Sequence, residues 1–359
     1  MLLNKKVFYR KTVKALIKPQ VLKPGDKVAT ISLSWGGAGE LPHRYAQGKR
    51  QLQEIFGLEV VETANALKSA EYIYKNPKAR ADDLMEAFSD TSIKAIISNI
   101  GGEDSIRTLP FIDPNIIKNN PKIFLGFSDS TITHAACYKA GLTSFYGTSL
   151  LVGFAENGGM HQYQIDDLKR TLFSATPVGQ ILPNINGWTS ERLEWTNVEL
   201  QNTTRKLTQS KGWNFLQGEG KVQGRLVGGC IEVLEFLKGT EFWFDKTDWQ
   251  DAILFIETSE DMPAPDYFRW WLRNYAAQGI FHQLKGIIMG RPYNNKYVDE
   301  YNRELIKVIR NEEGLGSLAI ITEMDFGHTC PTFTIPYGVM AEIDFEKENF
   351  GIWESGVSE

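Results

Sequence analysis

Apolar and polar positions along this chain fall into short blocks that repeat a strand-then-helix rhythm. Val28 to Leu33 is an apolar run of strand length, and Arg44 to Phe56 carries apolar residues at helical spacing. Leu58 to Val61 predicts a second strand. Ala79 to Phe88 predicts a helix whose inner face is Leu84, Met85 and Phe88. Ile93 to Ile97 follows as a third strand, residues 122–127 as a fourth, and Thr143 to Tyr146 as a fifth. Strands alternating with helices predict a parallel, doubly wound α/β sheet over residues 21–178.

The rhythm dissolves between about Thr176 and Gly224, where Pro183, Gly187, Gly212, Gly218 and Gly220 punctuate a polar stretch containing tryptophans. Residues 179–223 are read as an interdomain connection, long enough to be suspected of functional contact. A second domain, 224–359, then opens on Gly228-Gly229-Cys230 and a helical face of Ile231, Leu234 and Leu237. Its predicted strands are Ala252 to Ile256, Leu284 to Met289 and Leu318 to Met324. Helices are expected at Pro265 to Gln278 and Tyr301 to Arg310, and a closing hairpin at Val339 to Phe345 with Phe350 to Trp353.

Composition narrows the function without naming it. The chain has 359 residues, 42% of them hydrophobic, and a net charge of −5, which argues against nucleic-acid binding as the main task. Cys137, Cys230 and Cys330 are widely spaced and include no Cys-x-x-Cys pair, as expected of free thiols in a reducing compartment. Residues 1–20 form a basic arm in which Lys5, Lys6, Arg10, Lys11 and Lys14 interrupt any signal-peptide core. No stretch reaches the 18 or so apolar residues of a membrane span. A cytoplasmic protein without stable membrane insertion is expected.

The stretch that carries chemistry is Gly126-Phe127-Ser128-Asp129, which leaves the fourth strand and enters a helix. A serine at such a turn sits at the carboxyl edge of the sheet, where open α/β folds build sites. The alternative is that Ser128 or Asp129 simply caps the helix. Two other apolar strands end in groups that a serine nucleophile needs: 253–256 ends in Glu257, and 318–326 runs into Gly327-His328. Imidazole titrates in the range of a useful base, and a carboxylate can fix its tautomer. Gly101-Gly102 ends the preceding strand, and with the Asp129 amide it is a candidate oxyanion hole. Gly37-Ala38-Gly39 lacks the third glycine of a dinucleotide fingerprint, because Pro42 stands there. The five histidines show no metal-ligand spacing.

Ile-Gly-Gly-Glu-Asp-Ser (100–105), Leu-Gly-Phe-Ser-Asp (125–129), Gly-Arg-Leu-Val-Gly-Gly (224–229), Leu-Phe-Ile-Glu-Thr (254–258) and Phe-Gly-His-Thr-x-Pro (326–331) together resemble the LD-carboxypeptidase family of serine peptidases. The resemblance implies a Rossmann-like (flavodoxin-like) N-terminal domain, a smaller β-rich C-terminal domain and a homodimer, with no cofactor and no metal. It also implies Ser128 as nucleophile, Glu257 as the acid and His328 as the base. Of the family's two branches, one trims D-alanine from L,D-linked muramoyl tetrapeptides, and the other, the microcin-immunity type, cleaves peptidyl- or aminoacyl-nucleotides. The tryptophan-bearing connection resembles the second branch, with Trp188 as the candidate for stacking on a nucleobase and Trp195 and Trp213 behind it. Gly101 and Trp188 are therefore the expected substrate contacts. A non-catalytic small-molecule binding protein using the same cleft is the reading from another class. Cys230 stands where the resemblance calls for asparagine.

Overall fold

A computed structural model describes residues 15–359 as two sheets that share one continuous apolar cluster. Strands β1 (Lys27–Ile31), β2 (Glu59–Glu62), β3 (Ile93–Ser98), β4 (Ile123–Gly126) and β5 (Phe145–Tyr146) pair in parallel in the order β2-β1-β3-β4-β5. That is the flavodoxin-like order, in which ligands bind outside the carboxyl ends of the strands. Val28, Ala29, Ile96, Phe124 and Leu125 are buried, so the strands read as apolar runs and not as alternations. Helices Pro42–Phe56 and Pro77–Ser89 each begin with proline at the first turn, where its missing N–H costs nothing.

The second sheet is built from β6 (Gly179–Ile181), β7 (Asn214–Gln217), β8 (Lys221–Cys230), β9 (Ala252–Glu257), β10 (Gly286–Gly290) and β11 (Ala319–Met324), followed by β13 (Met340–Asp344) and β14 (Asn349–Ile352) after a short strand β12 (Ile335–Pro336). Its order is β6-β14-β13-β8-β9-β10-β11-β7, with β8 to β11 parallel and the flanking strands antiparallel. Strand β12 belongs to the other sheet, pairing antiparallel with β5. The chain therefore returns to the first domain just after His328.

Two stretches differ from the sequence expectation. The 179–223 stretch is not all connection: β6 and β7 close the two edges of the second sheet. The basic arm, read from its sequence as a segment apart from the domain, is tethered to it where it is described: the Ile17 N–H donates to the Gly141 carbonyl at 2.7 Å and the Ser358 N–H to the Pro19 carbonyl at 2.8 Å. The rest of that arm, residues 1–14, lies outside the described residues. No helix among the described residues is long and apolar enough to cross a membrane.

Candidate functional site

Three strand ends meet at one point. Ser128 follows β4 with a φ of 60°, a left-handed backbone rarely adopted by a residue with a side chain. The turn is held from both sides. Its N–H donates to the Tyr146 hydroxyl at 3.0 Å, and the Thr131 hydroxyl donates to its carbonyl at 2.7 Å. The Ser128 Oγ lies 3.0 Å from His328 Nε2, and His328 Nδ1 lies 2.6 Å from Glu257 Oε2. A carboxylate can only accept, so Nδ1 carries a hydrogen.

Glu257 ends β9 fully buried, and the Tyr146 hydroxyl donates to its second oxygen at 2.5 Å. His328 reaches it because Gly327 precedes it: a Cβ there would sit 2.7 Å from Glu257 Oε2. Burial alone would lower the His328 pKa, but Glu257 and then Glu260 outweigh it and raise the pKa well above the usual imidazole range. Glu260 is the unexpected member. Its Oε2 stands 2.9 Å from His328 Nε2, and that contact, outweighing partial burial, holds its carboxyl down at about 2.

Gly101 and Gly102 end β3 against this turn. A Cβ on Gly101 would lie 3.0 Å from the Ser128 Cβ and 3.4 Å from the Asp129 nitrogen, so only glycine lets the two backbones come this close. The Asp129 side chain secures the approach, since its Oδ2 accepts the N–H groups of Asp104 at 3.0 Å and Ser105 at 2.8 Å. The structure thus brings together Ser128, Glu257, His328, Gly101, Gly102 and Asp129. An arrangement of hydroxyl, imidazole and carboxylate beside a closely approaching glycine backbone can support acyl transfer.

A cavity of about 230 Å³ opens in front of Ser128, lined among others by Trp35, Arg192, Trp195, Arg205, Glu260 and Tyr293. Trp188 is not in that lining. It is 6% exposed, its backbone pairs with Thr208, and the Arg291 guanidinium lies 5.1 Å from its ring. The indole that does face the cavity from this connection is Trp195, with Arg44 over its ring at 4.0 Å. Trp213 donates its indole N–H to Asp325 at 2.8 Å and serves as an anchor. The connection is a wall of the site because Thr189 and Cys330 exchange backbone hydrogen bonds.

His134 is fully buried behind the turn, hydrogen-bonded to Ser144 and to the Gly126 carbonyl. Cys230 is buried beside the turn, with its N–H donating to Thr131 Oγ1 at 3.1 Å and its thiol to Glu232 at 3.4 Å. Among the described residues one group could contribute metal ligands, Glu156, His161 and Cys330. Glu156 is already engaged by Arg205 through both carboxylate oxygens and by the Cys330 thiol. This donor set is better explained as an ion-pair network.

This two-domain α/β hydrolytic architecture has direct counterparts. Residues 28–147 match the LD-carboxypeptidase N-terminal domain and residues 223–343 the LD-carboxypeptidase C-terminal domain. The chain belongs to the LD-carboxypeptidase family and is a serine-type carboxypeptidase, a hydrolase acting on peptide or amide bonds. It is 28% identical over 341 residues to the microcin C7 self-immunity protein MccF of Escherichia coli, covering 94% of this chain and 96% of that one. It is 27% identical over 354 residues to a Bacillus subtilis protein named "probable murein peptide carboxypeptidase", covering 95% and 96%. Among solved structures, an MccF-like protein from Streptococcus pneumoniae in complex with AMP superposes with a TM-score of 0.83 at 30% identity, covering 91% of this chain and 98% of that one. The microcin C7 self-immunity protein MccF in complex with aspartyl sulfamoyl adenosine gives 0.82 at 27% identity, covering 95% and 100%.

Proposed function

We propose that this peptidase cleaves the acyl bond of aminoacyl- or peptidyl-nucleotides, with Ser128 as nucleophile. The observation that carries the reading is the relay from Ser128 Oγ to His328 Nε2 at 3.0 Å and from His328 Nδ1 to Glu257 at 2.6 Å. His328 takes the hydroxyl proton as Oγ attacks the carbonyl carbon. Glu257 holds the imidazole in the tautomer whose Nε2 is free and stabilises the imidazolium that forms. The Gly102 and Asp129 amides receive the oxyanion. His328 then protonates the leaving group, a water enters, and His328 acts again as base to release the acid from the acyl-enzyme.

The nucleotide side of the reading is supported by the cavity's two indoles, Trp35 and Trp195, which offer flat faces to a base. It is also supported by the AMP and the aspartyl sulfamoyl adenosine bound in the two MccF-type structures. The enzyme works on small substrates in the cytoplasm as a homodimer, and it needs no cofactor. The test is hydrolysis of an aminoacyl-sulfamoyl adenosine and of an L,D-linked muramoyl tetrapeptide, by the parent and by Ser128→Ala. Serine-dependent cleavage of the adenosine derivative alone is expected. Release of D-alanine alone would transfer the protein to muropeptide trimming.

A further inference from the structure

His328 Nε2 has two neighbours. Ser128 Oγ lies at 3.0 Å and Glu260 Oε2 at 2.9 Å, and both line the cavity. With Nδ1 donating to Glu257, Nε2 carries a hydrogen only when the ring is an imidazolium. That is the state the contact with Glu260 favours. To take a proton from Ser128, Nε2 must instead present a lone pair. The Glu260 carboxylate then loses its donor and faces that lone pair across 2.9 Å. Its charge persists at neutral pH, because an accessible carboxyl without that contact still ionises at about 4.3, well below 7.

The working site therefore holds a carboxylate that needs another cation. Arg205 is committed to Glu156 through both oxygens, and Arg192, which also lines the cavity, makes no ion pair with Glu260 among the described residues. Glu260 is half exposed, with 49% of its side chain accessible, so an arriving substrate can reach it.

We propose that Glu260 is a specificity residue for the acyl group, receiving the free α-ammonium of an aminoacyl substrate and so disfavouring substrates whose amine is blocked. This rests on the aminoacyl-nucleotide reading above. The reach is right. Glu260 Oε2 and Ser128 Oγ lie within about 6 Å of each other through their shared neighbour, and an α-nitrogen sits about 2.5 Å from its own carbonyl carbon. An ammonium bonded to Glu260 thus leaves the carbonyl beside Ser128. Such a substrate also removes the carboxylate from His328 and frees Nε2 for Ser128, so the preferred substrate completes the base that cleaves it.

The experiment measures binding, not turnover. Aminoacyl-sulfamoyl adenosine with a free amine, its N-acetyl counterpart and AMP are titrated calorimetrically into Ser128→Ala and into Ser128→Ala/Glu260→Gln. Ser128→Ala should prefer the free amine by about 10- to 100-fold, the size of a charge-assisted contact. Glu260→Gln should reduce that preference to about 3-fold or less, with N-acetyl ligand and AMP affinities kept. A preference that survives Glu260→Gln, or equal binding of both acyl ligands by Ser128→Ala, overturns the assignment and leaves the nucleotide reading standing. Failure of all three ligands to bind either variant overturns the nucleotide reading and this one with it.

Discussion

The Tyr146 hydroxyl donates to Glu257 Oε1 at 2.5 Å, and its oxygen accepts the Ser128 N–H at 3.0 Å. One phenol thereby ties β5 of the first sheet, β9 of the second and the turn that bears the proposed nucleophile. Tyr146→Phe keeps the ring but strands a buried carboxylate oxygen and a buried N–H. We expect a loss of about 1–3 kcal/mol in unfolding free energy. We also expect kcat/KM to fall by about 10- to 100-fold, because the imidazole's acceptor is no longer held. Denaturant titration and steady-state kinetics on the same preparation check both. Unchanged kinetics would show that the tyrosine only stabilises the domain contact.

If Ser128, His328 and Glu257 act as a unit, their losses do not add. Ser128→Ala and His328→Ala should each reduce kcat by several orders of magnitude, roughly 10⁴ to 10⁶, and the double variant should be no slower than the worse single one. A multiplicative double variant would separate the two residues mechanistically. Mass spectrometry adds a second readout: turnover stopped by rapid acid quench should leave an acyl adduct on Ser128 in the parent and none in Ser128→Ala.

The proposed base works only when neutral. Because Glu257 and Glu260 raise the His328 pKa despite burial, the acidic limb of kcat/KM should lie above the ordinary imidazole range of about 6.5. Activity rises with pH through that limb. Glu260→Gln removes one of the two carboxylates, so the limb should move to lower pH. A pH–rate profile of parent and variant on an N-acetyl substrate, which makes no ammonium contact, isolates this effect. A limb that stays in place would mean Glu260 does not hold the proton.

Much of this was legible in the sequence, and the exceptions share a cause. The five parallel strands were readable because each is an apolar run flanked by turn residues, as at Ile123 to Leu125. Ser128, Glu257 and His328 could be paired because each follows such a run, although their separations of 129 and 71 residues say nothing of contact. Strands β6, β7 and β12 were missed. They have three, four and two residues, and they are strands only because distant partners, β14, β11 and β5, stand beside them. Trp188 and Trp195 have equal claims as indoles in one polar stretch, and only tertiary placement sends Trp188 inward under Arg291 and leaves Trp195 on the cavity. Glu260 had one available signal, its place three residues past Glu257 in the loop leaving β9.

His134 makes the turn pH-sensitive in stability and not in chemistry. Burial, only partly opposed by its bond to the Gly126 carbonyl, pushes its pKa down to about 3. A depressed histidine is neutral in the folded chain but titrates near 6.5 when unfolded, so its contribution is full above 6.5 and is lost as pH falls toward 3. At full loss this is on the order of 5 kcal/mol. His134→Gln can bond the same partners without titrating. The stability gap between parent and variant should therefore narrow as urea titrations move from pH 7 to pH 4. A constant gap would mean that the ring titrates alike in the folded and unfolded chain.

Trp195 offers the sharpest separation of substrate classes. Arg44, buried and donating to the Leu151 carbonyl at 2.6 Å and to Asn157 at 2.8 Å, lies over the indole at 4.0 Å and fixes its orientation at the cavity wall. If a nucleobase stacks there, Trp195→Ala should weaken nucleotide substrates by about 1–3 kcal/mol, seen as a KM rise of roughly 10- to 100-fold with kcat nearly kept. Trp188→Phe should leave KM alone and lower stability, because its ring is packed under Arg291 and away from the cavity. A peptide substrate without a base provides the control, since stacking cannot contribute to it. Should Trp195→Ala damage peptide and nucleotide cleavage equally, the indole is a structural wall, and the case for a nucleotide substrate reduces to Trp35 and the kinship with MccF.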